Sequence, residues 1–257
     1  MVKSPEILLI ILCLAINYSA FPQDCLNAHS HNDYNRERPL YQALENNFRS
    51  IEADIFLCGG QLVVAHSIEE IDKTKTLETL YLEPLSKLIA KNKLVCSPIY
   101  LFIDIKKDGK AVYHVLRKML IKYADILTSY NGEIIYTKAV SVIISGDRPF
   151  DEIINDTIRY AAIDGRLNDI SKPSYLFPII SDNWFNVSSC LEKHYGDVNS
   201  ETGLKKLSVN IKNSGKLFRI WGAPDNGKSW QVQYNAGVSL INTDNINGLR
   251  KFLLKNK

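Results

Sequence analysis

Ser50-Ile51-Glu52-Ala53-Asp54-Ile55 is an apolar, strand-like run carrying two carboxylates. Glu52 and Asp54 are two residues apart, so on a strand their side chains share one face. A strand of a parallel sheet is buried on both faces, and a charge placed there needs a physical reason. Two neighbouring carboxylates repel unless a cation sits between them, and carboxylate oxygens suit Mg2+ or Ca2+. The same pattern recurs in Ile99-Tyr100-Leu101-Phe102-Ile103-Asp104-Ile105-Lys106, where Asp104 and Lys106 share a face. Glu52, Asp54 and Asp104 are therefore expected to hold one divalent cation, with Lys106 beside them.

Outward from these runs, strand-like and helix-like segments alternate. Strands are expected at 25–30, 50–57, 99–106, 140–145, 160–164, 176–181, 217–221 and 238–243. Helices are expected at 40–47, 82–91, 110–127, 150–156, 203–212, 229–235 and 246–255, while 166–175 and 183–199 are the least helical links. Eight strands with short helical crossovers predict an α/β fold, a TIM-type (β/α)8 barrel in one domain over residues 21–257. Charges gather at the C-terminal ends of the strands, the face on which such barrels carry their chemistry.

The stretch 57–66 reads as a hairpin with Gly59-Gly60 at its tip. A two-residue turn brings His66 opposite Ala53, within one residue of both carboxylates. The first strand ends in Asn27-Ala28-His29-Ser30-His31-Asn32-Asp33-Tyr34, so histidines from two directions approach the acids.

The 257 residues are 46% hydrophobic and 23% charged, with a net charge of +3 spread along the chain. That balance fits a large buried core and argues against nucleic acid as a partner. Lys3, the apolar run Ile7–Ile16 and the small Ser19 and Ala20 describe a signal peptide over residues 1–20, cleaved on export. A secreted or periplasmic protein with no stable membrane span is expected, working as a monomer. Cys25, Cys58, Cys96 and Cys190 then allow three disulfide connectivities.

Ala28-His29, Glu52-Ala53-Asp54, His66 and Asp104-Ile105-Lys106 together resemble the glycerophosphodiester phosphodiesterase superfamily, in order and in approximate spacing. His-Ser-His-Asn-Asp-Tyr, followed by Pro39-Leu40 and Ala43-Leu44, is more similar to the subgroup that includes the proteins named for altered inheritance of mitochondria. Asp182-Asn183-Trp184, Trp221-Gly222-Ala223-Pro224 and Asn242-Thr243-Asp244 fit its later strands. The resemblance implies a metal-dependent phosphoric diester hydrolase acting on a small-molecule or lipid phosphodiester of the glycerophosphodiester or phospholipid type. It also implies His29 and His66 as general acid and base, with Lys106 as a further catalytic cation.

His31, Asn32, Arg148, Asp182, Trp221 and Asp244 are candidates for the substrate pocket. Each has a plainer alternative, such as a helix cap for Asp182 and Asp244 or strand-end packing for Trp221. Family enzymes follow the first histidine with Arg-Gly, whose arginine holds phosphate. Ser30-His31 stand there instead, leaving Arg36, Arg38 and Arg148 as substitutes. A rival reading, a histidine-rich metallohydrolase barrel of the amidohydrolase or histidinol-phosphatase type, starts from His29-Ser30-His31 but lacks further histidines at the middle strands. A second rival is a secreted barrel that binds a phosphorylated ligand without turnover.

Overall fold

The computed structural model describes residues 25–195 and 201–257, so the leader expected at 1–20 lies outside the described residues. Twelve strands are formed there. The first six are β1 (Leu26–Ser30), β2 (Phe48–Cys58), β3 (Gln61–Val64), β4 (Ile99–Ile105), β5 (Ser129–Asn131) and β6 (Ile134–Tyr136). The others are β7 (Val140–Gly146), β8 (Ile158–Arg159), β9 (Ala161–Gly165), β10 (Ile179–Asn183), β11 (Leu217–Trp221) and β12 (Leu240–Thr243).

Eight of these run parallel in the order β1-β12-β11-β10-β9-β7-β4-β2, and β2 pairs back onto β1. The sheet is closed, and the expected (β/α)8 barrel is the observed one. Its strands are near-continuous apolar runs because closure and the surrounding helices bury both faces. Leu101, Phe102, Ile103 and Ile105 of β4 have no exposure, nor have Val142, Ile143 and Ile144 of β7.

The helices are α1 (Tyr41–Glu45), α2 (Glu83–Ala90), α3 (Gly109–Lys122), α4 (Phe150–Ile154), α5 (Trp184–Tyr195), α6 (Glu201–Asn213), α7 (Gly227–Asn235) and α8 (Ile246–Lys255). They bury one stripe each, as Val112, Leu116 and Leu120 do on α3 and Ile246, Leu249 and Leu253 on α8. That spacing is the helical period.

Two features depart from the sequence reading. Residues 184–195, placed among the least helical links, form α5. Its Asn, Ser and Cys residues are weak helix formers, yet Val187 and Leu191 pack on Ile180 and Phe218, and Asn183 Oδ1 accepts the Asn186 N–H at 2.7 Å. Tertiary burial and a cap outweigh propensity there. The second is a small antiparallel sheet, β6-β5-β8, outside the barrel.

Cys25 and Cys96 form a disulfide. Cys58 and Cys190 are unpaired among the described residues.

Candidate active site

β2 and β4 lie in register with Asp54 opposite Asp104, so two acids from neighbouring strands meet at the C-terminal rim. Glu52 stands one side-chain layer deeper on the same face. One carboxylate oxygen from each of Glu52, Asp54 and Asp104 lies within 4.8 Å of the others. Lys106 Nζ reaches Asp54 Oδ2 at 2.6 Å and Asp104 Oδ1 at 3.3 Å. The three acids and the lysine converge as the strand alternation requires.

Electrostatics separates the three acids. Burial works against the Glu52 carboxylate, but the Arg219 guanidinium and the His29 N–H outweigh it and hold Glu52 well below the usual carboxylate range. Asp104 has the Lys106 ammonium at 3.3 Å instead. Burial, opposed by Lys106 and reinforced by Glu52 and Asp54, pushes it up to about 6. Asp54 is fully buried, and its Oδ1 has no hydrogen-bond partner among the described residues. An orphaned carboxylate oxygen beside two more acids is the donor set that a hard divalent cation satisfies.

The turn Gly59-Gly60 has φ of 58° and 82°, the conformation of a two-residue hairpin, and it sets Cys58 opposite Gln61 and Ile55 opposite Val64. The ladder holds through Ala65, whose N–H donates to Asp54 O at 3.2 Å. The chain then leaves the strand and His66 turns onto the carboxylate face without a bulge. His66 Nδ1 sits 3.2 Å from Asp54 Oδ2 and 3.1 Å from the Tyr34 hydroxyl, which donates to Asp54 Oδ2 at 2.6 Å. Both neighbours accept the Nδ1–H, leaving Nε2 free.

On the opposite flank, His29 is fully buried. Its Nε2 lies 2.7 Å from Glu52 Oε2, and its Nδ1 lies 2.7 Å from Ser50 Oγ. Burial, then the charge of Arg219, drives its pKa down to about 3, so the ring is neutral. His31 and Asn32 stand at the rim, with His31 Nδ1 2.9 Å from Asp244 Oδ1.

A cavity of about 180 Å³ opens over these groups, lined by His31, Asn32, Glu52, His66, Asp104 and Lys106, and on its far wall by Ser145, Asp164, Arg166, Arg219 and Trp221. Of the expected pocket residues, His31, Asn32 and Trp221 line it, and Asp244 touches it through His31. Asp182 and Arg148 lie elsewhere. Asp182 alternates with Ser181 and so points to the outer face of β10, where it accepts from Leu167 N, Asn183 N and Asn186 Nδ2. Arg148 donates to Asp164 O at 2.6 Å and stacks on Phe150. Arg38 pairs with Glu45 at the surface, and Arg36 braces the backbone of His31 and Asp244.

Arg219 and Arg166 supply the cavity's arginines, and sequence reading named neither. Arg219 was legible: in Leu217-Phe218-Arg219-Ile220-Trp221 it is a charge in mid-strand, two residues before Trp221 and on the same face. It is 4% exposed, and donates to Glu52 Oε2 at 3.2 Å and Asn242 Oδ1 at 3.1 Å. Arg166 Nη1 pairs with Asp164 Oδ2 at 2.8 Å, and Asp164 in turn accepts from Ser145 Oγ.

The sequence matches the AIM6-like phosphodiesterase domain over residues 19–99 and 92–164. The chain belongs to this family. An altered inheritance of mitochondria protein 6 homolog from Arthroderma benhamiae is 29% identical across 87% of this chain and 82% of its own length. The altered inheritance of mitochondria protein 6 of Eremothecium gossypii is 27% identical across 87% of this chain and 68% of its own length. Among solved structures, a glycerophosphodiester phosphodiesterase from Parabacteroides distasonis superposes with a TM-score of 0.58 at 17% identity, covering 89% of this chain and 96% of that one. This last likeness concerns the barrel fold. As a member of its family the chain is a phosphodiesterase, and the cavity at the C-terminal rim is where a barrel enzyme does its work. Among the described residues no helix is long and apolar enough to cross a membrane.

Proposed function

We propose that the chain is a divalent-cation-dependent phosphoric diester hydrolase for a small diester of the glycerophosphodiester or phospholipid type. The observation that carries this reading is the meeting of Glu52, Asp54 and Asp104 beneath a cavity that Lys106 and two imidazoles flank. A phosphodiester resists attack because its own negative charge repels nucleophiles. Glu52, Asp54 and Asp104 would hold Mg2+ or Ca2+, which would supply Lewis acidity to offset that charge.

The protein's own groups do the rest. Lys106 adds a fixed positive charge beside the reacting centre, and Arg219 keeps Glu52 ionised for its part in the ligand set. Proton transfer falls to His66 on one flank and to an imidazole from β1 on the other, His29 by the family motif. The cavity admits a phosphoryl group and its immediate substituents, so the rest of the substrate lies over the rim beside Trp221. Residues 1–20 support export, and the mild net charge argues against a nucleic-acid partner.

Bis(p-nitrophenyl) phosphate, assayed with Mg2+ or Ca2+ and again with chelator, tests the reaction class. Turnover that chelator abolishes and added cation restores is expected; no turnover with any divalent cation rejects the proposal. A panel of lyso-, glycero- and sphingo-phosphodiesters, followed by phosphorus NMR of the products, then identifies the head group.

A further inference from the structure

The Asp104-Ile105-Lys106 pattern of β4 has a counterpart in Asp164-Gly165-Arg166 at the end of β9. In both, an acid and a base two residues apart share the inward face of a strand. Asp54, Asp104 and Ser145 lie in register across β2, β4 and β7. Ser145 Oγ donates to Asp164 Oδ2 at 2.9 Å, which carries the same layer onto β9. The backbone at Arg166 is still extended, with φ −117° and ψ 172°, so its side chain follows that of Asp164 onto the cavity wall.

The three cations of the wall are not equally engaged. Arg219 has Nε on Asn242 Oδ1, Nη2 on Glu52 Oε2 and its guanidinium over the Phe102 ring. Lys106 Nζ is shared between Asp54 and Asp104. Arg166 bonds through Nη1 alone, to Asp164 Oδ2 at 2.8 Å, Gly165 O at 3.1 Å and Asp164 O at 3.3 Å. Among the described residues no hydrogen bond engages its Nη2 or Nε. A guanidinium carries its N–H donors in a rigid planar fork, so one side is fastened and the other is open.

The root of this side chain is also fixed. Arg166 N donates to Asp169 Oδ2 at 2.9 Å, and Arg166 O accepts the Asp169 N–H at 2.7 Å. Asp164, which grips the far end, is itself buried. A guanidinium held at both ends with donors to spare is preorganised for an anion, because little rotamer freedom is left to lose on binding.

We propose that Arg166 binds the phosphoryl group of the diester through a non-bridging oxygen, as a second cation beside Lys106, and that Asp164 is its positioning residue. The proposal rests on the phosphodiesterase reading of the site. Negative charge grows on the non-bridging oxygens as the attacking oxygen closes on phosphorus, so the contact strengthens toward the transition state. Arg36, Arg38 and Arg148 do not line the cavity.

A guanidinium that only neutralised Asp164 would become dispensable once that acid is gone, so paired variants separate the two roles. Arg166→Met, Arg166→Lys, the double variant Asp164→Asn with Arg166→Met, and Arg38→Met are compared with the parent on bis(p-nitrophenyl) phosphate under saturating Mg2+. Arg166→Met is expected to lose about 100-fold in kcat/KM. Arg166→Lys, which keeps the charge without the fork, is expected to lose about 10-fold. The double variant should stay as low as Arg166→Met, with part of the loss restored by free guanidinium below the concentrations that unfold the protein. It leaves no stranded charge, so it carries the comparison if Arg166→Met fails to fold. Arg38→Met removes the same charge at the surface and should match the parent.

Phosphorus NMR of dimethyl phosphate, titrated into the Mg2+-loaded protein, reads binding without turnover. Arg166→Met and the double variant should each weaken it by about 10-fold or more. Arg166→Met within about threefold of the parent, or a double variant that regains the parent's kcat/KM, overturns the assignment. A parent enzyme inactive on every diester overturns the phosphodiesterase reading, and binding of dimethyl phosphate still judges Arg166.

Discussion

Arg219 reaches from β11 across the barrel to Glu52, its guanidinium 4.9 Å from the centre of the Phe102 ring. A carboxylate buried without its cation is costly, so Arg219→Met is expected to destabilise the metal-free protein by about 3–5 kcal/mol. Pairing it with Glu52→Gln removes the stranded charge and should recover much of that loss. Urea unfolding in chelator measures both, and a double variant no more stable than the single one would reject the account. His29 makes the opposite demand, because it folds neutral. Its pKa falls from the ordinary 6.5 to about 3, so its contribution to stability is complete above pH 6.5 and is lost as the pH drops towards 3. One such group adds a slope of at most about 1.4 kcal/mol per pH unit. His29→Asn should flatten the acid limb of stability against pH in chelator, and an unchanged limb would contradict the buried, neutral ring.

The β2–β3 hairpin positions His66 through its register. The Gly59-Gly60 turn has open space around it and needs glycine only for its φ angles. One glycine inserted after Gly60 should leave the melting temperature within a few degrees while lowering kcat/KM by ~10-fold or more, because His66 no longer meets Asp54. Unchanged kcat/KM would show that the register is unimportant. Elements also explain what could be read in advance. Glu52, Asp54, Asp104 and Lys106 were legible because a two-residue repeat in an apolar strand fixes a shared face. His66 was legible because a two-residue turn fixes a register. Asp182 obeys the same alternation but falls on the other face, which its neighbours Ser181 and Asn183 do not reveal. Helix α5 was hidden because its stability comes from packing on Ile180 of the preceding strand and on Phe218 of β11, which its own residues do not reveal. Arg219 is a mid-strand charge in an apolar run, so the rule that exposes Asp104 applies to it unchanged.

For the whole molecule, cation binding and barrel stability are linked. A ligand held only by the folded state at 100 times its dissociation constant adds about 2.7 kcal/mol. Mg2+ or Ca2+ should therefore raise the melting temperature of the chelator-treated protein, and Asp54→Asn should abolish that rise. A rise that survives in Asp54→Asn would place the cation elsewhere. The Cys25–Cys96 disulfide closes a separation of 71 residues, for which chain-entropy reasoning gives about 4 kcal/mol. Removing both cysteines should lower unfolding stability by up to that amount, and reductant should then have no further effect.

Cys25 precedes the first residue of β1 and Cys96 lies just before β4, so the covalent fastening sits at the strands' starting ends. The carboxylates sit at their finishing ends. Opening that hasp slackens the floor of the vessel while its mouth keeps its shape. A thiol-rich environment should thus shorten the working lifetime of the molecule without altering how fast each intact copy works.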